Sequence, residues 1–105
     1  MAQIIWTEPT LIDLDEIAEY IAFNKPSVAR KLVKNVFAAV KRLKRFPKSG
    51  KCPPELQKTI YLEIIVGPCR LFYRIDENKV YILNIMRSER KLRLIVLEDR
   101  ASKGR

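Results

Sequence analysis

Hydrophobic positions recur with two different periods along this chain, and the change from one to the other divides it into two halves. In the first, Leu11, Leu14, Ala18 and Ile21 recur at steps of three and four, with Ile17 and Ala22 beside them. Asp13, Asp15, Glu16 and Glu19 fill the positions between, so this stretch predicts an amphipathic helix with an acidic outer face. Gln3-Ile4-Ile5-Trp6 before it is short and apolar enough for a strand, Thr7 is placed to cap the helix, and Pro9 is tolerated in its first turn. Asn24-Lys25-Pro26 breaks the helix and starts a second, in which Ala29, Leu32, Val33, Val36, Val40 and Leu43 keep helical spacing up to Phe46. So short a break predicts an antiparallel helix hairpin. Outside its apolar stripe the second helix carries Arg30, Lys31, Lys34, Lys41, Arg42, Lys44 and Arg45, which read first as a solvated face.

The loop from Pro47 to Pro54, with three of the chain's prolines and Gly50, ends the helical half. From there the period is two. Leu62, Ile64 and Val66 alternate with Tyr61, Glu63 and Ile65, and Gly67-Pro68 turns that strand into a hairpin of Cys69 to Ile75 and Lys79 to Arg87. With Glu77-Asn78 as a two-residue loop, Asp76 faces Lys79, and Arg70 falls opposite Ile85, near Arg87. Leu71, Tyr73 and Ile75 then face the helices, leaving Arg70, Phe72 and Arg74 on an open face. Residues 88–99 fit either a short helix built on Leu92, Ile95 and Val96 or a further strand, and residues 101–105 read as a frayed tail. The whole predicts one α+β domain over residues 1–105. It has an N-terminal strand, an antiparallel helix hairpin packed on one face of a mainly antiparallel sheet of about four strands, and a short C-terminal segment.

Composition narrows the chemistry. The 105 residues contain no histidine and two cysteines, Cys52 and Cys69, in no metal-binding spacing, so no metal site, cofactor or imidazole-activated nucleophile is expected. The three glycines are scattered, which excludes a Gly-rich phosphate loop. No run approaches the ~20 apolar residues of a membrane span, and the first residues lack a signal-peptide pattern. A cytoplasmic protein with two reduced thiols is expected, without a membrane partner. Residues 1–24 hold five acids and no Lys or Arg, so the other 81 residues carry all 21 basic groups against seven acids, a net of +14. Such a field attracts polyanions and acidic partners. Arg70, Arg87 and Arg90, with Arg74 further along, gather in the expected register into a site for an anion; the plain alternative is a solvated basic edge that resists aggregation.

Five pieces in order carry a resemblance: Trp6-Thr7-Glu8-Pro9 leading into Asp13 to Ile21, Phe46-Pro47 with Ser49-Gly50, Pro53-Pro54-Glu55-Leu56, Pro68-Cys69-Arg70-Leu71-Phe72-Tyr73, and Met86-Arg87-Ser88-Glu89-Arg90. Over essentially its whole length the chain resembles the RelE/ParE superfamily of bacterial toxins, and within it the ParE-type plasmid-stabilisation toxins. The resemblance implies the toxin of a type II toxin–antitoxin system, neutralised by a cognate antitoxin. It also implies operator DNA reached through that antitoxin, and a homodimer as one possible assembly. RelE-type members cut messenger RNA on the ribosome with lysines on the strand before the hairpin, arginines on and after it, and often a tyrosine near the C-terminus. Here Tyr61 and Glu63 stand where those lysines would be and Val96 where the tyrosine would be, while Arg70 and Arg90 are retained. A carboxylate at 63 opposes the phosphate charge that develops in cleavage.

ParE-type members lack the cleaving set and are thought to poison DNA gyrase by trapping it on cleaved DNA. The resemblance therefore implies a non-enzymatic gyrase inhibitor with no catalytic residues, in which Arg70, Arg87 and Arg90 face the target. Where close relatives usually carry Tyr-Arg, this chain has Tyr61-Leu62. The alternatives are a ribosome-dependent endoribonuclease and a non-toxic basic protein that regulates its own operon. An acidic antitoxin segment is expected to fold across the open arginine-bearing face, at Phe72, Arg74, Leu92 and Ile95.

Overall fold

The computed structural model describes residues 1–56, 58–90 and 92–103. Its elements run β1 (Gln3–Trp6), α1 (Glu8–Ala22), α2 (Pro26–Arg42), β2 (Tyr61–Val66), β3 (Cys69–Asp76), β4 (Lys79–Arg87) and α3 (Leu94–Lys103), with a 3-10 turn at Pro47–Ser49. The sheet order is β1-β4-β3-β2. β1 lies parallel to β4, and the other two pairings are antiparallel. The long connection that a parallel pair needs runs through the helix hairpin to β2 at the far edge and returns by β3 to β4. The expected α+β class, first strand and helix hairpin are all present.

One core lies between α1–α2 and the sheet. Leu14, Leu32, Val36, Val40 and Leu43 meet Cys69, Leu71, Tyr73, Val80, Ile82 and Ile85, as the alternation in β3 predicted. Fully burying a side chain of this size contributes about 1.5–3 kcal/mol. Thr7 holds the N-cap position of α1, but its side chain makes no cap hydrogen bond. The hydroxyls of Thr7 and Thr10 converge instead on the carbonyl oxygen of Ile82, at 2.7 and 2.9 Å, tying the start of α1 to β4.

Three expectations are corrected. The face bearing Arg70, Phe72 and Arg74 is not open: Tyr61, Phe72, Tyr81 and Leu83 form a second core there with Leu92 and Leu97. Helix α3 covers that side of the sheet: of residues 88–99, those from Leu94 onward are helical, while Leu92 packs on the second core from the irregular segment before it. Its apolar Leu97 and Ala101 pack on the second core, so residues 101–103 are the last turn of α3 rather than a frayed tail; residues 104–105 lie outside the described residues. The third correction concerns register. Phe72 pairs with Asn84 and Tyr73 with Ile82, which leaves Leu83 unopposed in a β-bulge, and Arg70 consequently faces Met86 rather than Ile85.

The loop between α2 and β2 is pinned from below by a buried hydroxyl. Tyr73 donates to the carbonyl of Pro47 at 2.7 Å and accepts from the amide of Gly50 at 2.9 Å. Gly50 has ordinary extended backbone; what it supplies is space. A Cβ there would lie 2.5 Å from the Tyr73 hydroxyl oxygen and 2.8 Å from the carbonyl oxygen of Glu63. Gly50→Ala is expected to destabilise the fold by about 1–3 kcal/mol through this overpacking, read as a lower urea midpoint with an unchanged denaturant slope.

Candidate functional site

Of the arginines expected to face a target, Arg70 is committed internally. Its β3 position sends the side chain to the α3 side of the sheet, where it is 8% exposed. Nε donates to Glu63 at 2.8 Å, and Nη1 and Nη2 donate to the two carboxylate oxygens of Glu55 at 2.6 Å each. The guanidinium also lies 5.0 Å from the centre of the Phe72 ring. Glu63 is 2% exposed, so both charges of that pair are taken from water and each depends on the other. The bidentate hydrogen bonds from Arg70 pull the Glu55 carboxyl down from 4.5 to about 2.

Arg74, two residues on, is 2% exposed, stacks 4.2 Å over the Tyr81 ring and lies 3.4 Å from Asp76. Its Nε and Nη2 have no hydrogen-bond partner among the described residues. Tyr61, also buried here, has its phenol pushed above its ordinary range by burial and by the charge of Glu98.

Arg87 points the other way. The bulge at Leu83 inverts the alternation of the rest of β4, so Arg87 pairs in register with Cys69 and stacks 4.7 Å over Tyr20 of α1, with Glu89 as its ionic partner. The expected cluster of Arg70 with Arg87 and Arg90 is therefore not formed. Instead, Arg87 and the exposed Arg90 line a cleft of about 870 Å³ between α1, the end of β4 and α3. Asp13, Glu16 and Tyr20 form its acidic and aromatic wall, and Arg93 and Arg100 add to its basic side. A two-signed cleft with an arginine on an aromatic ring suits a protein or polar ligand better than a bare phosphate chain.

Arg100 is the residue the sequence did not single out. It pairs with Asp13, and its Nη1 also donates to the carbonyl of Leu83 and to Oδ1 of Asn84, at 3.1 Å each. It thereby joins α3 to α1 and satisfies the carbonyl that the bulge frees. Its partner Asp13 is 87 residues away, so no local pattern announces the pair. Tyr20 was legible only as an aromatic residue among acidic ones.

Among the residues expected to meet an antitoxin, Phe72, Arg74 and Leu92 are buried beneath or beside α3, whereas Ile95 is 73% exposed. Leu62, where an arginine was expected by resemblance, packs on the helix-side core. Both thiols are free; burial raises the Cys69 thiol above its ordinary range, and Cys52 is exposed. The described residues contain no cluster of His, Cys, Asp and Glu able to hold a metal ion, and no helix long and apolar enough to cross a membrane.

Residues 4–92 match the family described as "ParE toxin of type II toxin-antitoxin system, parDE". The chain is similar to a putative toxin, Y4kP, of Sinorhizobium fredii, at 34% identity across 85% of this chain and 91% of that one. It is also similar to toxin RelE2 of Caulobacter vibrioides, at 27% identity across 86% and 99% of the two chains. Among solved structures, a chain of the chromosomal ParDE toxin–antitoxin system of P. aeruginosa superposes with a TM-score of 0.72 at 25% identity, over 85% of this chain and 98% of that one. A chain of the RelBE2 toxin–antitoxin complex of Mycobacterium tuberculosis shares the fold, with a TM-score of 0.56 at 23% identity over 82% and 96%.

The ion triad yields two expected outcomes. Arg70→Ala strands the buried Glu63 charge and is expected to cost about 3–5 kcal/mol in a urea melt, whereas Arg87→Ala, at a more exposed position, is expected to leave the melt nearly unchanged. Glu55 binds a proton less readily folded than unfolded, so its contribution is fully present above its ordinary 4.5 and is lost as pH falls toward about 2. Melts of the parent and Glu55→Gln should therefore differ most at neutral pH and converge near pH 2. A gap independent of pH would remove the carboxylate from the account.

Proposed function

The chain belongs to the ParE family of type II toxin–antitoxin toxins, and from that premise we propose that it stops growth by holding DNA gyrase on cleaved DNA without itself catalysing a reaction. One observation carries this reading. The β2 and β3 positions at which an RNA-cleaving relative would present free cations hold a closed arrangement here: Tyr61 is buried, and Glu63 is buried against Arg70. Arg70 is neutralised by two carboxylates, leaving its charge little to offer a scissile phosphate. The cleft at Arg87 and Arg90 offers what a protein target can use, namely arginine and tyrosine side chains beside carboxylates.

The partner that restrains it is a cognate antitoxin. An acidic antitoxin segment complements the basic residues 25–105, and the exposed Leu94 and Ile95 of α3 give it an apolar foothold. Under this reading it acts in the cytoplasm, where gyrase works. Arg70, under this reading, acts by holding the hairpin and the preceding loop in place, while Arg87 and Arg90 face the target.

Induced without its antitoxin, the protein is expected to cause filamentation and a DNA-damage response while amino-acid incorporation continues at first. Rapid collapse of protein synthesis, with mRNA cut within codons on ribosomes, would assign it instead to the endoribonucleases. Arg87→Ala/Arg90→Ala is expected to lose gyrase inhibition in a supercoiling assay while keeping its melting temperature within a few degrees, because contacts of this kind are worth about 2–5 kcal/mol at an interface and little on a free surface.

A further inference from the structure

Helix α2 and the loop after it carry a charge pattern that the fold does not use. Between Tyr20 and Pro54 there is no acidic residue and there are ten cations. All ten are exposed, and none of their side chains makes an ion pair or hydrogen bond among the described residues. Pairing with the neighbouring acidic helix would be the simplest explanation, yet Asp13 of α1 pairs with Arg100 of α3.

Helix physics does not account for them either. Lys41, Arg42 and the residues just past them suit the negative end of the helix dipole, but Lys25, Arg30 and Lys31 sit toward its positive end, where a cation is disfavoured. Arg30–Lys34 and Lys31–Lys34 are like-charge neighbours at four and three residues, which weakens a helix rather than supporting it. With Leu32, Val36, Ala39 and Val40 buried, a turn of 100° per residue gathers Arg30, Lys31, Lys34 and Lys41 on the opposite side, and the exposed Arg45 follows in the turn beyond the helix. From Arg30 to Lys41 this band runs about 16 Å, the axial rise of roughly five base pairs of duplex DNA.

We propose that this band is a sequence-independent binding surface for the phosphate backbone of duplex DNA, separate from the Arg87–Arg90 cleft. Lysine-rich, acid-free composition favours phosphate over a protein partner, because lysine is depleted at the cores of protein interfaces and common on DNA backbones. Self-repulsion in the free chain is relieved when the phosphates arrive and counterions leave. The proposal goes beyond the gyrase reading, although a toxin acting on an enzyme–DNA complex would meet duplex DNA beside its protein target.

The test is fluorescence anisotropy of the full chain with a 20-base-pair mixed-sequence duplex between 50 and 200 mM KCl, without gyrase. Each backbone contact should steepen the log–log salt dependence by about 0.9. Lys34→Gln/Lys41→Gln/Arg45→Gln is expected to flatten that slope by about 2–3 and to weaken binding at least tenfold, with a melting temperature unchanged or higher. Arg87→Ala/Arg90→Ala should bind the duplex as the parent does, which separates this surface from the cleft whatever its target. The proposal is overturned if the triple variant keeps the parent's affinity and slope. It is equally overturned if poly-glutamate competes as well as DNA at equal charge, or if an RNA duplex of the same sequence binds more tightly.

Discussion

Between Phe72 and Tyr73 the β3–β4 ladder slips by one residue, and the unopposed Leu83 decides how much of the molecule is arranged. Val80, Ile82 and Ile85 all belong to the core under the helices, a spacing that strict alternation cannot supply. The bulge reconciles them: Leu83 is buried against the opposite face, while the strand regains the helix side at Ile85. Its freed carbonyl is met by Arg100, whose other bonds reach Asp13 and Asn84. The placement of α3, the anchoring of α1 through Ile82 and the aim of Arg87 toward Tyr20 thus meet within the six residues from Ile82 to Arg87.

The other side of the hairpin is organised by polar groups with little alternative. Arg70 draws the loop at Glu55 onto the sheet, Tyr73 holds the same loop at Pro47 and Gly50, and Lys51 bridges to Glu63 through two backbone hydrogen bonds. A buried charge with several partners stabilises little compared with an apolar substitute, but it penalises any arrangement in which a partner is missing. That penalty holds a long proline-rich loop in one place. Arg74 lacks such partners: its charge is met by Asp76 and an aromatic ring, with two donors unfilled among the described residues.

Sequence periodicity was sufficient for everything governed by local spacing. The four-residue first strand, both long helices, the inward set of β3 and the Asp76–Lys79 turn all follow from it, although α2 ends at Arg42, four residues before the expected Phe46. It failed where one residue changes parity, since nothing around Leu83 distinguishes a bulge from continued alternation; Arg70 and Arg87 were consequently placed on one face instead of two. The segment holding α3 was ambiguous because Leu92, Ile95 and Val96 fit either period, and only the apolar face prepared by Phe72, Tyr81 and Leu83 decides the matter. The charge pairs were hidden for a different reason. Arg70 with Glu55, and Arg100 with Asp13, are contacts that topology alone brings together.

Acidic α1 and basic α2 lie against one another as the two arms of a hairpin, so the molecule carries a permanent electric dipole across its helical layer as well as a net charge of +9. In the field of a polyanion a body so charged experiences a torque before it makes contact. It therefore approaches with α2 leading and α1 trailing, and the fraction of collisions that arrive in a usable orientation rises. This gain belongs to the rate of encounter, fades as salt shortens the reach of the field, and requires no close fit between the surfaces that finally touch.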